Sequence, residues 1–193
     1  MDAEYLRQIL QEGFAAHQRL LDDCQPLILE ISALFVRRLQ AGGKILLCGN
    51  GGSAADAQHV AAEIVGRYMR ERKGWPAIAL TTDTSILTAV GNDYGYDQIF
   101  RRQVEALGKS GDILVGISTS GNSPNVLAAL EEALKIGMET VGFTGGSGGK
   151  MASLCRYVFI APAQKTANIQ ELHIVVWHAV CDLVERAMMT AVV

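Results

Sequence analysis

Apolar residues recur at helical spacing from the start of the chain, with Leu6, Ile9, Leu10, Phe14, Leu20 and Leu21 forming one stripe over residues 4–21. A second helix is expected from Pro26, whose missing N–H costs nothing in a first turn. Leu27, Ile28, Ile31, Leu34, Phe35 and Leu39 would face inward, and Gly42-Gly43 would end the helix. The first forty residues therefore predict a helical hairpin. From Lys44 the pattern changes to short apolar runs: KILLCGN (44–50), PAIAL (76–80), DILVGIS (112–118), ETVGFT (139–144) and RYVFIA (156–161). Continuous runs of this length predict strands buried on both faces. Between them, SAADAQHVAAEIVGRY, YDQIFRRQVEALG and NVLAALEEALKIG carry helical periodicity. Strands alternating with helices predict an α/β fold, a doubly wound five-stranded parallel sheet flanked by helices. A long last helix is expected from Thr166 to Ala191. Ile174, Val175, Val176, Trp177, Val180, Leu183 and Val184 make it apolar on much of its surface, as in helices packed between subunits or in a bundle.

Composition narrows the setting. The chain has 193 residues, 49% hydrophobic and 19% charged, which predicts one domain spanning 1–193. Its parts are N-terminal helices over 1–42, a sheet core over 43–163 and a C-terminal helix over 164–193. Seventeen Lys and Arg against twenty Asp and Glu give a net charge of -3. No block of five or six like charges occurs in the chain, so nucleic acid is not an expected partner. Acidic residues stand where a signal peptide would be basic, and no apolar run reaches the ~20 residues that span a bilayer. No membrane association and a cytoplasmic location are expected. Cys24, Cys48, Cys155 and Cys181 lie far apart and read as reduced core residues.

Two strand-to-helix turns carry unusual chemistry. In CGNGGSAAD (48–56) the small residues Gly49, Gly51 and Gly52 let a ligand approach the backbone, and Ser53 opens a helix whose N-terminal amides attract an anion. The spacing fits neither a Walker loop nor GxGxxG. In ISTSGNSPN (117–125) Ser118, Thr119, Ser120 and Ser123 surround Gly121 at another helix start, which suits a phosphate ester. A nucleophilic serine is disfavoured because GxSxG is absent and no neighbouring His or acid is placed to activate it. Both turns follow strands at their carboxyl ends, where open α/β sheets bind ligands. A phosphorylated small molecule is implied.

His59 and Glu63 stand four residues apart and so share a helical face. Such a pair suits a divalent metal, a proton transfer with Glu63 as base, or a plain surface hydrogen bond. In IQELHIVVWH (169–178) the polar residues Gln170, Glu171, His173 and His178 interrupt an apolar helix and need partners. Spacing does not choose between His173 and His178.

Taken together, CGNGGSAADAQHVAAEIVGRY, AVGNDYGYDQIF, GISTSGNSPNV and IQELHIVVWH make the chain resemble the phosphoheptose isomerase family of the sugar-isomerase (SIS) fold over nearly its whole length. The resemblance implies conversion of D-sedoheptulose 7-phosphate to D-glycero-D-manno-heptose 7-phosphate through an enediolate, the first step toward activated heptose for lipopolysaccharide core or other surface glycans. It further implies a cytoplasmic homotetramer with one zinc per subunit. Residue by residue, it makes Asn50, Gly51, Gly52, Ser53, Arg67, Asn92, Asp93, Ser118, Thr119, Ser120, Ser123, Gln170 and Glu63 substrate contacts or their neighbours. Glu63 and His178 become the catalytic pair, and His59, Glu63, Gln170 and His178 the zinc ligands. Gln170 and His178 are eight residues apart, about 12 Å along a straight helix. The site is therefore expected between subunits, with different copies of the last helix contributing. One departure is that residues 164–168 carry no acid where the family is expected to place one. The competing reading is a non-catalytic SIS tetramer serving as a scaffold for the bacterial replication initiator, which shares the SAAxAQH and PAIALxTD character. A scaffold has no need of Glu63 opposite His178.

Overall fold

A computed structural model describes residues 2–190. The first helix, α1 (Ala3–Asp23), is capped by the Asp2 carboxylate, which accepts from the amides of Glu4 at 3.0 Å and Tyr5 at 3.2 Å. The second, α2 (Gln25–Gln40), begins with Pro26 in its first turn, as expected. It buries Ile28, Ile31, Leu34, Phe35 and Leu39. The apolar stripe of α1 behaves differently: only Ala16 and Leu20 are buried, while Leu6, Leu10 and Phe14 face outward, Phe14 at 75% exposure.

Five strands follow: β1 (Ile45–Gly49), β2 (Ala77–Ala79), β3 (Ile113–Ile117), β4 (Glu139–Thr144) and β5 (Tyr157–Ile160). All pairings are parallel, in the order β2-β1-β3-β4-β5. Every residue of β1 and β3 is buried, which explains why these strands read as uninterrupted apolar runs. The connecting helices are α3 (Gly52–Val65), α4 (Thr84–Tyr94), α5 (Arg101–Leu107) and α6 (Pro124–Ile136), and the long α7 (Thr166–Thr190) closes the chain. One face of the sheet packs on α2, α3 and α7 around Phe35, Phe143 and Trp177; the other packs on α5 and α6 around Phe100, Val104 and Leu130.

Three boundaries differ from expectation. The helix expected over 53–68 stops at Val65, because residues 68–70 turn aside to bring their amides to a carboxylate on α7. The segment YDQIFRRQVEALG divides into a short 3-10 turn (Tyr96–Gln98) and α5. Helix α4 was not foreseen; its start is set by Asp83, whose carboxylate accepts from the Ile86 amide at 2.9 Å. The expected end of the last helix at Ala191, like the outer edges of the domain at 1 and 193, lies outside the described residues.

All four cysteines are free. Burial pushes the thiols of Cys155 and Cys181 up to about 12, which leaves them unreactive. Among the described residues no helix is long and apolar enough to cross a membrane.

Candidate functional site

The chain leaves β1 for β2 on one side and returns to β3 on the other, so the sheet order reverses between β1 and β3. Both unusual turns therefore flank the topological switch point, at the carboxyl ends of adjacent strands. A reciprocal amide pair ties them together: Asn50 Nδ2 donates to Asn125 Oδ1 and Asn125 Nδ2 donates to Asn50 Oδ1, both at 2.9 Å. The Tyr96 hydroxyl adds a third bond, donating to Asn50 Oδ1 at 3.1 Å. Asn50 was expected at the site. Its partners Asn125 and Tyr96 were not singled out, although both lie inside the quoted motifs; nothing local says that two motifs some seventy residues apart will pair.

Close approach of backbone requires glycine at position 49, while at position 52 a side chain would crowd the movable end of Gln170. A Cβ on Gly49 would lie 2.8 Å from the Ser53 carbonyl oxygen, and one on Gly52 would lie 2.5 Å from Gln170 Nε2. Gln170 thus sits over the start of α3, beside Gly51 and the buried Ser53. In the second turn, Ser118 and Ser123 hydroxyls lie 2.8 Å apart and those of Ser118 and Ser120 3.5 Å apart. Ser120 Oγ also accepts from the Asn122 amide at 3.2 Å. Ser123 is the N-cap of α6: its hydroxyl bonds Ser118 rather than the helix, and its carbonyl accepts from the Val126 and Leu127 amides at 3.1 and 3.0 Å, which leaves the Asn125 amide of the first turn without an intrahelical partner. Thr119 is half-buried beside them.

Farther along α3 a second cluster forms against α7. His59 Nε2 and His178 Nε2 are 2.9 Å apart, and Glu63 Oε1 is 3.5 Å from His59 Nε2. Tyr68 stacks on His178, ring centroids 5.8 Å apart at 25°. Asp56, on the same stretch of α3, has one buried carboxylate oxygen without a partner, and burial raises its pKa while His59 pulls it the other way. The structure also separates the two histidines of α7. His178 faces the cluster, whereas His173 is buried between Phe143 and Phe159 and donates from Nε2 to the Thr144 carbonyl at 3.0 Å. Burial takes its pKa down to about 4.

Not every expected residue joins these clusters. Asn92 and Asp93 are exposed at the end of α4 and bond to each other at 2.8 Å. Arg67 is exposed and pairs with Glu71 at 3.5 Å. Gln170 lies at the Gly52 end of the α3–α7 seam, apart from the other three residues expected around zinc. Among the described residues no three His, Cys, Asp or Glu side chains are gathered closely enough to enclose an ion. Glu63 lies eleven residues beyond Gly52, about 16 Å of helix, so the two clusters sit toward opposite ends of α3.

A family model described as the SIS domain matches residues 10–145. The phosphoheptose isomerase of Roseiflexus sp. (strain RS-1) is 57% identical over 179 residues, covering 93% of this chain and 91% of that protein. The solved structure of a phosphoheptose isomerase from Francisella tularensis has a TM-score of 0.93 at 38% identity, covering 96% of this chain and all of that one (100%). That of the Neisseria gonorrhoeae phosphoheptose isomerase has a TM-score of 0.90 at 46% identity, covering 95% and 98% of the two chains.

Proposed function

This chain belongs to the phosphoheptose isomerases of the SIS domain family, and on that premise we propose that it interconverts D-sedoheptulose 7-phosphate and D-glycero-D-manno-heptose 7-phosphate at the head of activated-heptose synthesis. One observation carries the reading. A hydroxyl-rich helix start at the switch point accompanies a carboxylate–imidazole cluster on the next helical seam, so a phosphate anchor and an acid–base group occur together.

The isomerisation moves one proton between neighbouring carbons. A base removes a proton from C1, the C–H electron pair becomes the C1=C2 bond, and the C2 carbonyl oxygen takes up a proton. Returning a proton to C2 while the C1 hydroxyl loses its own yields the aldose. Glu63 and His178 serve as the proton-carrying pair. Ser118, Thr119, Ser120 and Ser123, with the Asn125 amide at the start of α6, hold the phosphate; Asn50, Gly51, Gly52 and Gln170 line the sugar.

The donor set suits a metal in part. Two imidazole nitrogens 2.9 Å apart, with the Glu63 carboxylate 3.5 Å from one of them, are nitrogen and oxygen donors of the kinds zinc takes; two nitrogens on one tetrahedral zinc would be about 3.3 Å apart. We assign His59, Glu63 and His178 of one copy, with Gln170, to a zinc ion. When bound, zinc supplies positive charge beside the developing enediolate oxygen.

Six carbon–carbon bonds of about 1.5 Å and the C–O–P link of about 3 Å give the sugar phosphate a reach of at most about 12 Å. That falls short of the two ends of α3 in one chain, so the phosphate half-site of one copy serves the Glu63–His178 half-site of another. The outward Leu6, Leu10 and Phe14 stripe supplies an apolar face for such assembly. We take the working form to be a cytoplasmic homotetramer.

The test is to follow aldose phosphate by NMR from purified protein and sedoheptulose 7-phosphate, with added zinc and separately with chelator. Product supports the isomerase, and its loss with chelator supports the metal. No product in either arm from folded protein favours the scaffold reading. At substrate far below KM, where Ser120→Ala alone is slow, co-assembled Glu63→Gln and Ser120→Ala chains should turn over faster than either alone; no gain would place the whole site within one copy.

A further inference from the structure

Helix α7 buries one carboxylate completely: Glu185 has 0% relative exposure. A charged group there must be paired and hydrogen-bonded, and its partners come from one short segment. Glu185 Oε1 accepts from the Tyr68 amide at 3.1 Å and from Arg72 Nε at 2.9 Å. Its Oε2 accepts from the amides of Met69 at 2.9 Å and Arg70 at 2.8 Å. Burial alone would raise its pKa, but these donors hold it below the usual carboxylate range.

Arg72 is fixed as fully as its partner. Its guanidinium lies 3.6 Å above the Trp75 ring. It donates to the carbonyls of Glu63 at 2.9 Å, Ile64 at 3.0 Å and Gly66 at 3.2 Å. Those carbonyls belong to the end of α3, where helix geometry leaves acceptors without donors. Arg72 therefore caps α3 from outside and joins it to α7 through Glu185. The capped turn carries Glu63. The segment folded around Glu185 also carries Tyr68, whose ring stacks on His178.

We propose that the Arg72–Glu185 pair and Tyr68 are positioning residues for the acid–base pair, holding the last turn of α3 against α7 and packing the Tyr68 ring on the His178 imidazole. The inference rests on the reading above that Glu63 and His178 carry the protons. Neither Arg72 nor Glu185 needs to meet substrate; each acts through the placement of Glu63 and His178. A displacement of even 1 Å at such a pair is costly, on the order of 10²-fold in rate.

Four variants test this, each checked for folding by circular dichroism and thermal melting. Arg72→Lys keeps the charge but loses the fork that spans Glu185 and the α3 carbonyls. It should lower kcat about tenfold or more with KM for sedoheptulose 7-phosphate within twofold, and shift the His178 ring signals in NMR. Tyr68→Ala should do the same without disturbing the buried pair, and Tyr68→Phe, which keeps the ring, should restore kcat and the His178 signals. Folded Arg72→Lys and Tyr68→Ala proteins with wild-type kcat, or a loss in KM alone, would overturn the proposal. A Tyr68→Phe protein as impaired as Tyr68→Ala would overturn the stacking role. Glu63→Gln separates this failure from that of the underlying reading: if it is inactive while the positioning variants are normal, only the present inference falls.

Discussion

At the strand ends Asn50 pairs with Asn125 and Ser118 with Ser123, all from two short turns brought side by side, whereas along the α3–α7 seam His59 meets His178 across two helices and Glu185 gathers the amides of residues 68–70. The turns recognise by backbone shape, with glycines clearing space and amides pointing outward. The seam works through side chains whose spacing depends on how two helices pack. A turn tolerates change in what it binds but little change in its own backbone. A seam keeps its backbone through most substitutions and loses chemistry when one group changes.

Glu63→Gln should lower turnover by at least about 10²-fold, near 2.7 kcal/mol of barrier, with an unchanged melting curve. Normal activity would remove the seam from the chemistry. Gly121→Ala tests the turns by the opposite signature. Gly121 has φ +66°, and a Cβ there would collide with the Gly148 carbonyl, so urea denaturation should show a loss of about 2–3 kcal/mol. An unaffected midpoint would show the turn to be pliable.

The inward histidine sharpens the contrast within α7. His173 titrates near 4 when folded against 6.5 for the free side chain, so the unfolded chain binds the extra proton and stability falls as pH drops below about 6.5. At pH 5 the loss from this group should be roughly 2 kcal/mol, read as a falling urea midpoint. His173→Leu should remove that slope between pH 6.5 and 5; a slope that persists would assign the acid sensitivity elsewhere. The smallest effect is expected at the phosphate turn, where Ser120→Ala should weaken sugar-phosphate affinity about tenfold, near 1.4 kcal/mol, measured by calorimetry with kcat little changed. Unaltered affinity would separate Ser120 from the phosphate.

The strands were legible because β1 and β3 are buried on both faces and so consist of apolar residues alone. The turns were legible because each device, glycines and hydroxyls at a helix start, is contiguous in sequence. Helix α4 was missed because none of its residues is fully buried and its apolar face is short, with Leu87 and Val90 leaning on the core. Glu185 left a faint signal that could have been used, a carboxylate on the apolar stripe between Val184 and Met188, which demands a buried partner.

Local sequence determined the five strands and the helices other than α4, the anion-attracting turns and the helical face shared by His59 and Glu63, since these depend on residues at most a few positions apart. Only the tertiary structure decided that β1 and β3 are neighbours, that His178 joins the cluster while His173 enters the core, and that Gln170 stays at the other end of α3. Those outcomes depend on the rotation and register of α7 against α3, which are set by packing summed over the whole core and by no single stretch of chain.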